Sequence, residues 1–313
     1  MNPGWRPGAS SATLRARAEL LAAIRQFFAH RGVLEVETPL VSNAASTDVH
    51  LHSIVAGGER YLHTSPEFAM KRLLAAGSGP IYQVCKVFRA GEAGCRHNPE
   101  FSMLEWYRPG FTLDELMAEV CDLLDALLGG LSWQRSCYRE LFLRHLSLDP
   151  HRASDDEIAR SGEQVAGGLL PDMSRPDWLD LLMSRAVEPK LGGGGVMVTD
   201  FPACQAALSV VERDELGDPV ARRFEVYADG LELGNGYLEL LDTDELRRRQ
   251  QHDLARRREK GLPQLPADHN LLAAMDHGLP ACSGVALGLD RLLMCQLGVD
   301  DIRQVLTFNW DNA

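Results

Sequence analysis

Paired cysteines are missing from this 313-residue chain. Its seven cysteines are scattered along the sequence, and no two of them form a C-x-x-C pair. That spacing argues against a zinc site, and the odd number argues against the disulfide framework of a secreted domain. Reduced thiols are typical of proteins from a reducing compartment, so we expect a cytoplasmic protein.

Long apolar runs are missing as well. No uninterrupted apolar stretch reaches membrane-spanning length, and the N-terminus, MNPGWRPGASS, has no apolar core of the kind found in signal peptides. We therefore expect no membrane partner. Positive charge is not in excess either, because the net charge is −12. This balance argues against broad non-specific binding to nucleic acid, which rests on Lys and Arg contacts to phosphate.

A Walker-type phosphate loop is also absent. The glycine run at residues 192–195 is not followed by Lys-Ser or Lys-Thr, so we interpret it as a flexible loop. The remaining composition, 45% hydrophobic and 24% charged, is that of an ordinary globular protein with enough length for a large core.

The most informative stretch reads FRAGEAGCRHNPEFSMLEWY, from Phe88 to Tyr107. An apolar run precedes it and an imperfectly alternating run closes it, which predicts a β-hairpin with a long polar loop. Charged residues lie on or beside these strands, where burial is costly without a partner or a ligand. They are Arg89, Glu92, Arg96, His97, Glu100 and Glu105. An internal ion-pair network and a ligand site explain these charges equally well.

A second hairpin is predicted at Asp229-Gly230, a strong two-residue turn signal. That turn places Tyr227 opposite Glu232 and Glu225 opposite Gly234. Glu225 and Glu232 are then diagonal neighbours on one face, where like charges repel. A hard cation such as Mg²⁺, held together with substrate phosphates, suits this pair; an exposed face is the alternative.

A regular strand after this turn puts Glu232 and Glu239 on opposite faces. Asn235-Gly236 is therefore either a second turn or a β-bulge that redirects Glu239.

Near the C-terminus, Gly284, Ala286 and Gly288 share one face of a predicted strand that runs into a helix at Asp290-Arg291. A strand face without large side chains lies against a neighbouring backbone or a planar ligand. At the other end of the chain, a predicted helix from Thr13 leads into Val33–Pro39, a proline-ended edge strand that could pair with another copy. The arginine-rich stretch at residues 244–260 predicts a helix with a solvated face.

Three pieces stand together in order: Val33–Pro39, Arg89–Phe101 and Gly284–Arg291. They resemble motifs 1, 2 and 3 of class II aminoacyl-tRNA synthetases. The segments RHNPEF, MLEWY and ELGNGYLEL look specifically like the lysyl-tRNA synthetase branch. The resemblance implies an α+β fold, in which an antiparallel sheet is flanked by helices, and a homodimer built through motif 1.

Departures from that branch narrow the expectation. Only residues 1–12 precede the first predicted helix. We interpret these residues as a flexible tail before a catalytic domain at residues 13–313. No anticodon-binding domain and no tRNA partner are expected. Ala286 replaces a glycine that is typical of the synthetases. These features are similar to bacterial lysyl-tRNA synthetase paralogues that join (R)-β-lysine to a lysine of elongation factor P.

The implied chemistry is ATP-dependent activation of (R)-β-lysine or lysine as an acyl-adenylate, followed by transfer to a protein amine. Two alternatives remain: a lysine-activating enzyme with another acceptor, and a non-catalytic paralogue that senses lysine or regulates a partner. The phosphate-binding arginines weigh against the non-catalytic alternative.

The resemblance also implies roles for individual residues. The catalytic residues are Arg89 and Arg291. The ATP-binding residues are Arg89, Glu92, Arg96, His97, Phe101, Glu232 and Arg291. The residues that bind the amino acid are Glu67, Glu105, Tyr107, Asn235, Glu239, Ala286 and Gly288. Glu225 and Glu232 hold Mg²⁺. Several carboxylates without a balancing cation predict a cationic substrate. In the second motif, Ala90-Gly91 departs from the family pattern, so Glu92 comes one position later than the matching glutamate of the synthetases.

Overall fold

The computed structural model describes residues 5–313, which form two compact units. The first unit runs to Thr112 and resumes at Leu240, and the second is Leu113–Glu239. Residues 1–4 of the predicted tail lie outside the described residues. Within residues 5–313, no helix is both long and apolar enough to cross a membrane.

Helices and strands alternate irregularly along the chain, as in an α+β protein. In chain order they are α1 (Ser11–His30), β1 (Leu34–Glu35), β2 (Val41–Ser42), β3 (Val55–Gly57), β4 (Arg60–Leu62), α2 (Glu67–Ala75), β5 (Ile81–Phe88), β6 (Glu100–Pro109), α3 (Leu113–Leu128), β7 (Trp133–Cys137), α4 (Tyr138–Leu146), α5 (Asp155–Ala166), α6 (Arg175–Leu182), β8 (Gly195–Pro202), β9 (Val211–Arg213), β10 (Pro219–Ala228), β11 (Leu231–Leu238), α7 (Thr243–Glu259), α8 (His269–Gly278), β12 (Cys282–Gly288) and α9 (Leu289–Leu297).

The first unit is built around the predicted hairpin. Strands β5 and β6 pair antiparallel without a break, from Ile81 opposite Tyr107 to Phe88 opposite Glu100. Strand β12 pairs antiparallel with the other edge of β6. The short β1 joins β5 in parallel, which the antiparallel prediction did not include. A separate small sheet has the order β2-β4-β3.

The first helix begins at Ser11, two residues before the predicted start. Ser10 caps it, because its side chain accepts a hydrogen bond from the backbone N–H of Thr13. Just before it, the backbone N–H of Gly8 donates to Thr307 O at 2.8 Å, and Ala9 is buried. The residues directly before α1 therefore pack against the C-terminal segment.

The second unit contains the other predicted hairpin. Strands β10 and β11 pair antiparallel, β8 pairs antiparallel with the far edge of β10, and β7 adds to β8 in parallel. Its core lies where α4 and α6 pack with β8, and it includes the ring of Tyr138 stacked on Phe142 at 4.4 Å between centroids. Residues 131–190 thus supply the helices and edge strand that support this sheet.

The arginine-rich helix α7 differs in part from the predicted solvated face. Arg248 and Arg249 both pair with Glu245 on its surface. Arg257, however, is buried and donates to the backbone oxygens of Asp48 and Pro263. One arginine of this run therefore holds a loop of the first unit in place.

Asp290, in the first turn of α9, fixes the position of β6 within the first unit. Its side chain is almost fully buried and accepts a hydrogen bond of 2.7 Å from the backbone N–H of Ser102. It also forms an ion pair with Arg17 of α1. One buried carboxylate therefore joins α1, β6 and α9.

We predict that Asp290→Asn lowers the free energy of unfolding by about 3 kcal/mol, because breaking a buried ion pair strands its partner. Urea denaturation measures this change. As a control, Asp244→Asn removes a carboxylate that is 92% exposed beside Arg247, and it should change stability by less than about 0.5 kcal/mol. Equal effects of the two substitutions would contradict the assigned role of Asp290.

Candidate active site

One face of the first unit's sheet collects several of the predicted site residues. Glu105 lies directly opposite Ala286 in the β6–β12 register, and Met103 lies opposite Gly288. Residues opposite each other, and residues two apart on one strand, point to the same face. Phe101, Glu105 and Tyr107 therefore share a face with the small residues of β12. Strand β12 therefore contributes only small residues to the face that carries Glu105.

Glu105 is the most perturbed group on this face. It is buried and accepts two short hydrogen bonds, 2.7 Å from Ser65 Oγ and 2.6 Å from the Tyr107 hydroxyl. Burial, and then the nearby charge of Glu67, raise the pKa of Glu105 to about 8, while the two hydroxyl donors oppose the rise. Near neutral pH this carboxyl holds a proton that a cationic ligand can displace.

Glu67, in the first turn of α2, lies near Glu105 and forms an ion pair with Lys71. Its Oε1 is 2.6 Å from Lys71 Nζ, one helical turn further along. Lys71 is almost completely buried. The expectation of carboxylates without a balancing cation is therefore wrong for this group. Lys71 cancels one of the two negative charges.

The end of β5 and the loop after it hold the first predicted phosphate-binding arginine. Arg89 donates to Thr64 O at 3.3 Å, and its guanidinium carbon lies 5.1 Å from the centre of the Phe101 ring. Its Nη1 is 3.8 Å from Glu92 Oε1. Glu92 therefore reaches Arg89 even though it comes one residue later than in the synthetase pattern.

The loop also meets the start of α9. Arg291 donates to the backbone oxygen of Arg96 at 3.3 Å and to Nε2 of His97. Arg96 and His97 themselves are exposed. The first unit thus brings together three of the residues predicted to bind phosphates.

The second unit holds the predicted carboxylate pair. Tyr227 lies opposite Glu232, as predicted, but Glu225 lies opposite Asn235. The predicted pairing of Glu225 with Gly234 is therefore wrong. The register shifts by one residue between the two pairs.

A β-bulge at Leu233 causes this shift, since it is the extra, unpaired residue of β11. Its consequence is that Glu232, Asn235 and Glu239 all point to the face that carries Glu225. The prediction of a bulge that redirects Glu239 is correct in effect, but the bulge precedes Asn235-Gly236. Both alternatives for that dipeptide, a second turn and the bulge itself, are wrong.

Glu225 is oriented by two neighbours on its own strand. Arg223 Nη2 donates to its Oε1 at 2.7 Å, and the Tyr227 hydroxyl donates to its Oε2 at 2.6 Å. Burial raises the pKa of Glu225 to about 7; Arg223 opposes the rise, and the charge of Glu232 adds to it. The repulsion expected between the two carboxylates is thus present.

These residues fit a hard cation. Within residues 5–313 no group of three or more His, Cys, Asp or Glu side chains forms a complete metal site. Two carboxylates suffice for Mg²⁺ when substrate phosphates complete its ligands. Asn235 Oδ1, on the same face, is buried without a hydrogen-bond partner in the described part of the chain, so a further oxygen remains for a ligand.

The structure adds three residues that the sequence did not identify as part of the site. They are Lys71, Arg223 and Ser65, which donates a hydrogen bond to Glu105. Ser65, which also accepts a hydrogen bond from the backbone N–H of Glu67 at 3.0 Å, gave no sequence signal for this role. The other two had a detectable signal, since Lys71 follows Glu67 by four residues on a helix and Arg223 precedes Glu225 by two on a strand.

We predict that Glu105→Gln changes how stability depends on pH. Between its unfolded pKa of 4.5 and its folded value of about 8, Glu105 holds a proton that the unfolded chain has lost, so stability falls as pH rises. From pH 5.5 to 7.5, the free energy of unfolding should fall by about 2 kcal/mol more in the wild type than in Glu105→Gln.

Urea denaturation at both pH values checks this. The half-exposed Glu100 provides the control, since Glu100→Gln should keep the wild-type pH dependence. Parallel curves for Glu105→Gln and the wild type would show that Glu105 is ionised throughout.

Comparison with known proteins covers almost the whole chain. The family model described as "tRNA synthetases class II (D, K and N)" matches residues 5–312. Three relatives carry the name elongation factor P–(R)-β-lysine ligase. They come from Pectobacterium carotovorum (46% identity over 99% of this chain and 98% of the relative), Yersinia enterocolitica (47% over 97% of each) and Salmonella typhi (45% over 99% and 98%). The chain, with its α+β fold, therefore belongs to the class II tRNA synthetase family that the model describes.

Proposed function

We propose that this protein activates (R)-β-lysine with ATP and transfers it to the ε-amino group of a lysine in elongation factor P. The observation that carries the proposal is 45–47% identity, over nearly the full length of both chains, to ligases named for this reaction. The buried carboxyl of Glu105, with a proton that a cation can displace, supports an amine substrate. The two alternatives from the sequence have no comparable support.

In the first step, a carboxylate oxygen of the amino acid attacks the α-phosphate of ATP, and pyrophosphate leaves. Negative charge builds up on phosphate oxygens, so fixed cations lower the barrier. We assign Arg89 to the α-phosphate and Arg96, His97 and Arg291 to the outer phosphates. Phe101 supplies a ring for adenine. Glu92 lies beside Arg89 and orients it.

Glu225 and Glu232 are the residues that would hold Mg²⁺, with Asn235 Oδ1 close by on the same face. Bound there, the ion would neutralise charge on the phosphates of ATP. The residues themselves do the preparatory work. Arg223 and Tyr227 hold Glu225 in one orientation through hydrogen bonds, as partners of ligating carboxylates commonly do.

Amine recognition falls to the carboxylates. We assign Glu105 and Tyr107, with Glu67 nearby, to an ammonium group of the substrate, because burial strengthens such a charge-assisted hydrogen bond. Asn235 and Glu239 belong to the second unit, and their assignment to amino-acid binding rests on the resemblance alone. Ala286 lies opposite Glu105, where its methyl group narrows the space above β12 and Gly288 keeps the rest open.

In the second step, the ε-amine of the acceptor lysine attacks the acyl carbon, loses a proton and displaces AMP. We propose that the acceptor is elongation factor P and that tRNA does not take part. We also propose a homodimer that buries motif 1, because Leu34 within it is 57% exposed and Val41, shortly after it, is 44% exposed. All seven cysteines are free thiols, which supports the cytoplasm as the location.

Pyrophosphate exchange tests the activation step. We expect (R)-β-lysine to drive exchange with a higher kcat/KM than α-lysine, and labelled β-lysine then to appear on elongation factor P. Arg291→Ala serves as the inactive control. No exchange with either amino acid would overturn the proposal, and exchange without transfer would favour another acceptor.

We further predict that Ala286→Gly raises the kcat/KM for α-lysine relative to (R)-β-lysine by about tenfold. The reason is that one methyl group in a pocket discriminates by roughly 1–3 kcal/mol. Exchange kinetics with both amino acids measure this ratio. Ala281→Gly, at an exposed position just before the same strand, is the matched control and should leave it unchanged. An unaltered ratio in Ala286→Gly would remove Ala286 from the specificity argument.

A further inference from the structure

Lys71 is the one buried cation close to Glu105 that the proposed reaction does not use. The chain has four lysines, and the other three are exposed or half-exposed, whereas Lys71 is 2% exposed. It lies on the inner face of α2, with Met70 and Leu74 as buried neighbours on the helix. A lysine is rarely buried to this extent unless it is paired.

A surface helix pair does not account for this lysine. Exposed Glu–Lys pairs four residues apart contribute only a few tenths of a kcal/mol, and burial removes the hydration of both groups. Here Nζ lies 2.6 Å from Glu67 Oε1, and the side chains are 3% and 18% exposed. A buried ion pair contributes little net stability. The Glu67–Lys71 pair is therefore better explained by its effect on the charge of neighbouring groups.

The surroundings consist of Glu105 with its two hydroxyl donors, Ser65 and Tyr107. Two carboxylates and one ammonium leave a single negative charge when Glu105 is ionised. One additional ammonium group would therefore neutralise the cluster, and a second would leave it with a net positive charge. Without Lys71, two carboxylates would repel each other in a site with little water, and one of them would stay protonated when a single ammonium is bound.

We propose that Lys71 is a positioning residue that sets the charge of this pocket wall, so that the Glu67–Lys71–Glu105 cluster accepts a single ammonium group of the substrate. The inference rests on the proposed function and deepens it. It assigns the ligand of the cluster as a primary ammonium, with the second amino group of a diamino acid received by other residues.

The two oxygens of Glu105 can still receive that ammonium. A carboxylate offers about four lone-pair positions, and the hydrogen bonds from Ser65 and Tyr107 use one on each oxygen. These hydroxyl groups fix the orientation of the carboxyl group, and Lys71 fixes the net charge. Orientation and charge are therefore controlled by different residues, which makes them separable by mutation.

A double-mutant cycle tests the proposal with four proteins: the wild type, Glu67→Gln, Lys71→Met and the double variant. Glu67→Gln leaves Lys71 and Glu105 to cancel each other, so the KM for (R)-β-lysine should rise about tenfold or more. The double variant leaves Glu105 alone with its single charge, so the KM should return to within about threefold of the wild type. The KM for ATP should change little in either.

The readout separates charge from structure, because a purely structural role would lower the thermal midpoint and affect both KM values alike. Thermal midpoints are recorded for all four proteins, and Lys71→Arg, which keeps the charge, should retain the wild-type KM if it folds. A surface pair in the same unit provides the matched cycle: Lys86 and Glu100 lie 3.5 Å apart and are each 43% exposed. Glu100→Gln, Lys86→Met and their double variant should leave the KM for (R)-β-lysine unchanged.

Two results would overturn the inference. If the double variant is as impaired as Glu67→Gln, then Glu67 contacts the substrate directly and the charge of Lys71 is irrelevant. If Glu67→Gln leaves the KM unchanged, the cluster does not receive the ammonium. In both cases exchange by the wild type leaves the proposed function intact, whereas absence of wild-type exchange removes both.

Discussion

The cost of burying a carboxylate is the constraint on which this candidate site depends. Glu105 is placed inside the first unit by a strand that pairs on both edges, with β5 on one side and β12 on the other. The pairing fixes the strand on both edges, and the carboxyl group of Glu105 is buried. Its charge must be matched or neutralised by a proton, and hydroxyl donors on both oxygens limit it to one orientation. A cationic ligand is the chemical complement of such a group, which is why the amine assignment starts from Glu105.

In the second unit, a β-bulge determines which face of the sheet carries the carboxylates. A regular β11 would direct Glu232 and Glu239 to opposite faces, whereas the extra residue at Leu233 brings both to the face of Glu225. The bulge leaves Leu233 1% exposed, so the apolar residue is accommodated in the core while the polar residues share one face. One inserted residue thus gathers the acidic groups on one face. It also explains why Asn235, and not Gly234, lies beside Glu225.

Local patterns predicted much of this arrangement, and their failures have physical causes. The Asp229-Gly230 turn and the pairing of Tyr227 with Glu232 follow from turn chemistry, and the β5–β6 hairpin follows from apolar runs around a polar loop. The position of the bulge did not follow, because the glycines at 234 and 236 allow a bulge at more than one place. Which position bulges depends on what packs against β11. The parallel pairings of β1 and β7 also escaped prediction, since they join segments far apart in sequence. Lys71 and Arg223 were overlooked because a basic residue in a charged stretch is usually a solvated one.

The internal cations change how the acidic character of the site should be understood. Counting carboxylates alone suggests, in each unit, a strongly negative group of side chains that would attract any polycation. Lys71 beside Glu67 and Arg223 beside Glu225 each remove one negative charge, and each does so from within the unit that supplies the carboxylate. What remains is a small number of unmatched charges at defined positions. Selectivity then comes from the position and number of those charges, because a ligand with too few ammonium groups leaves a buried carboxylate unmatched and one with too many brings an uncompensated cation. A diamino acid substrate satisfies this requirement better than a simple polyamine, since its own carboxylate must also lie close to the arginines proposed to bind phosphate.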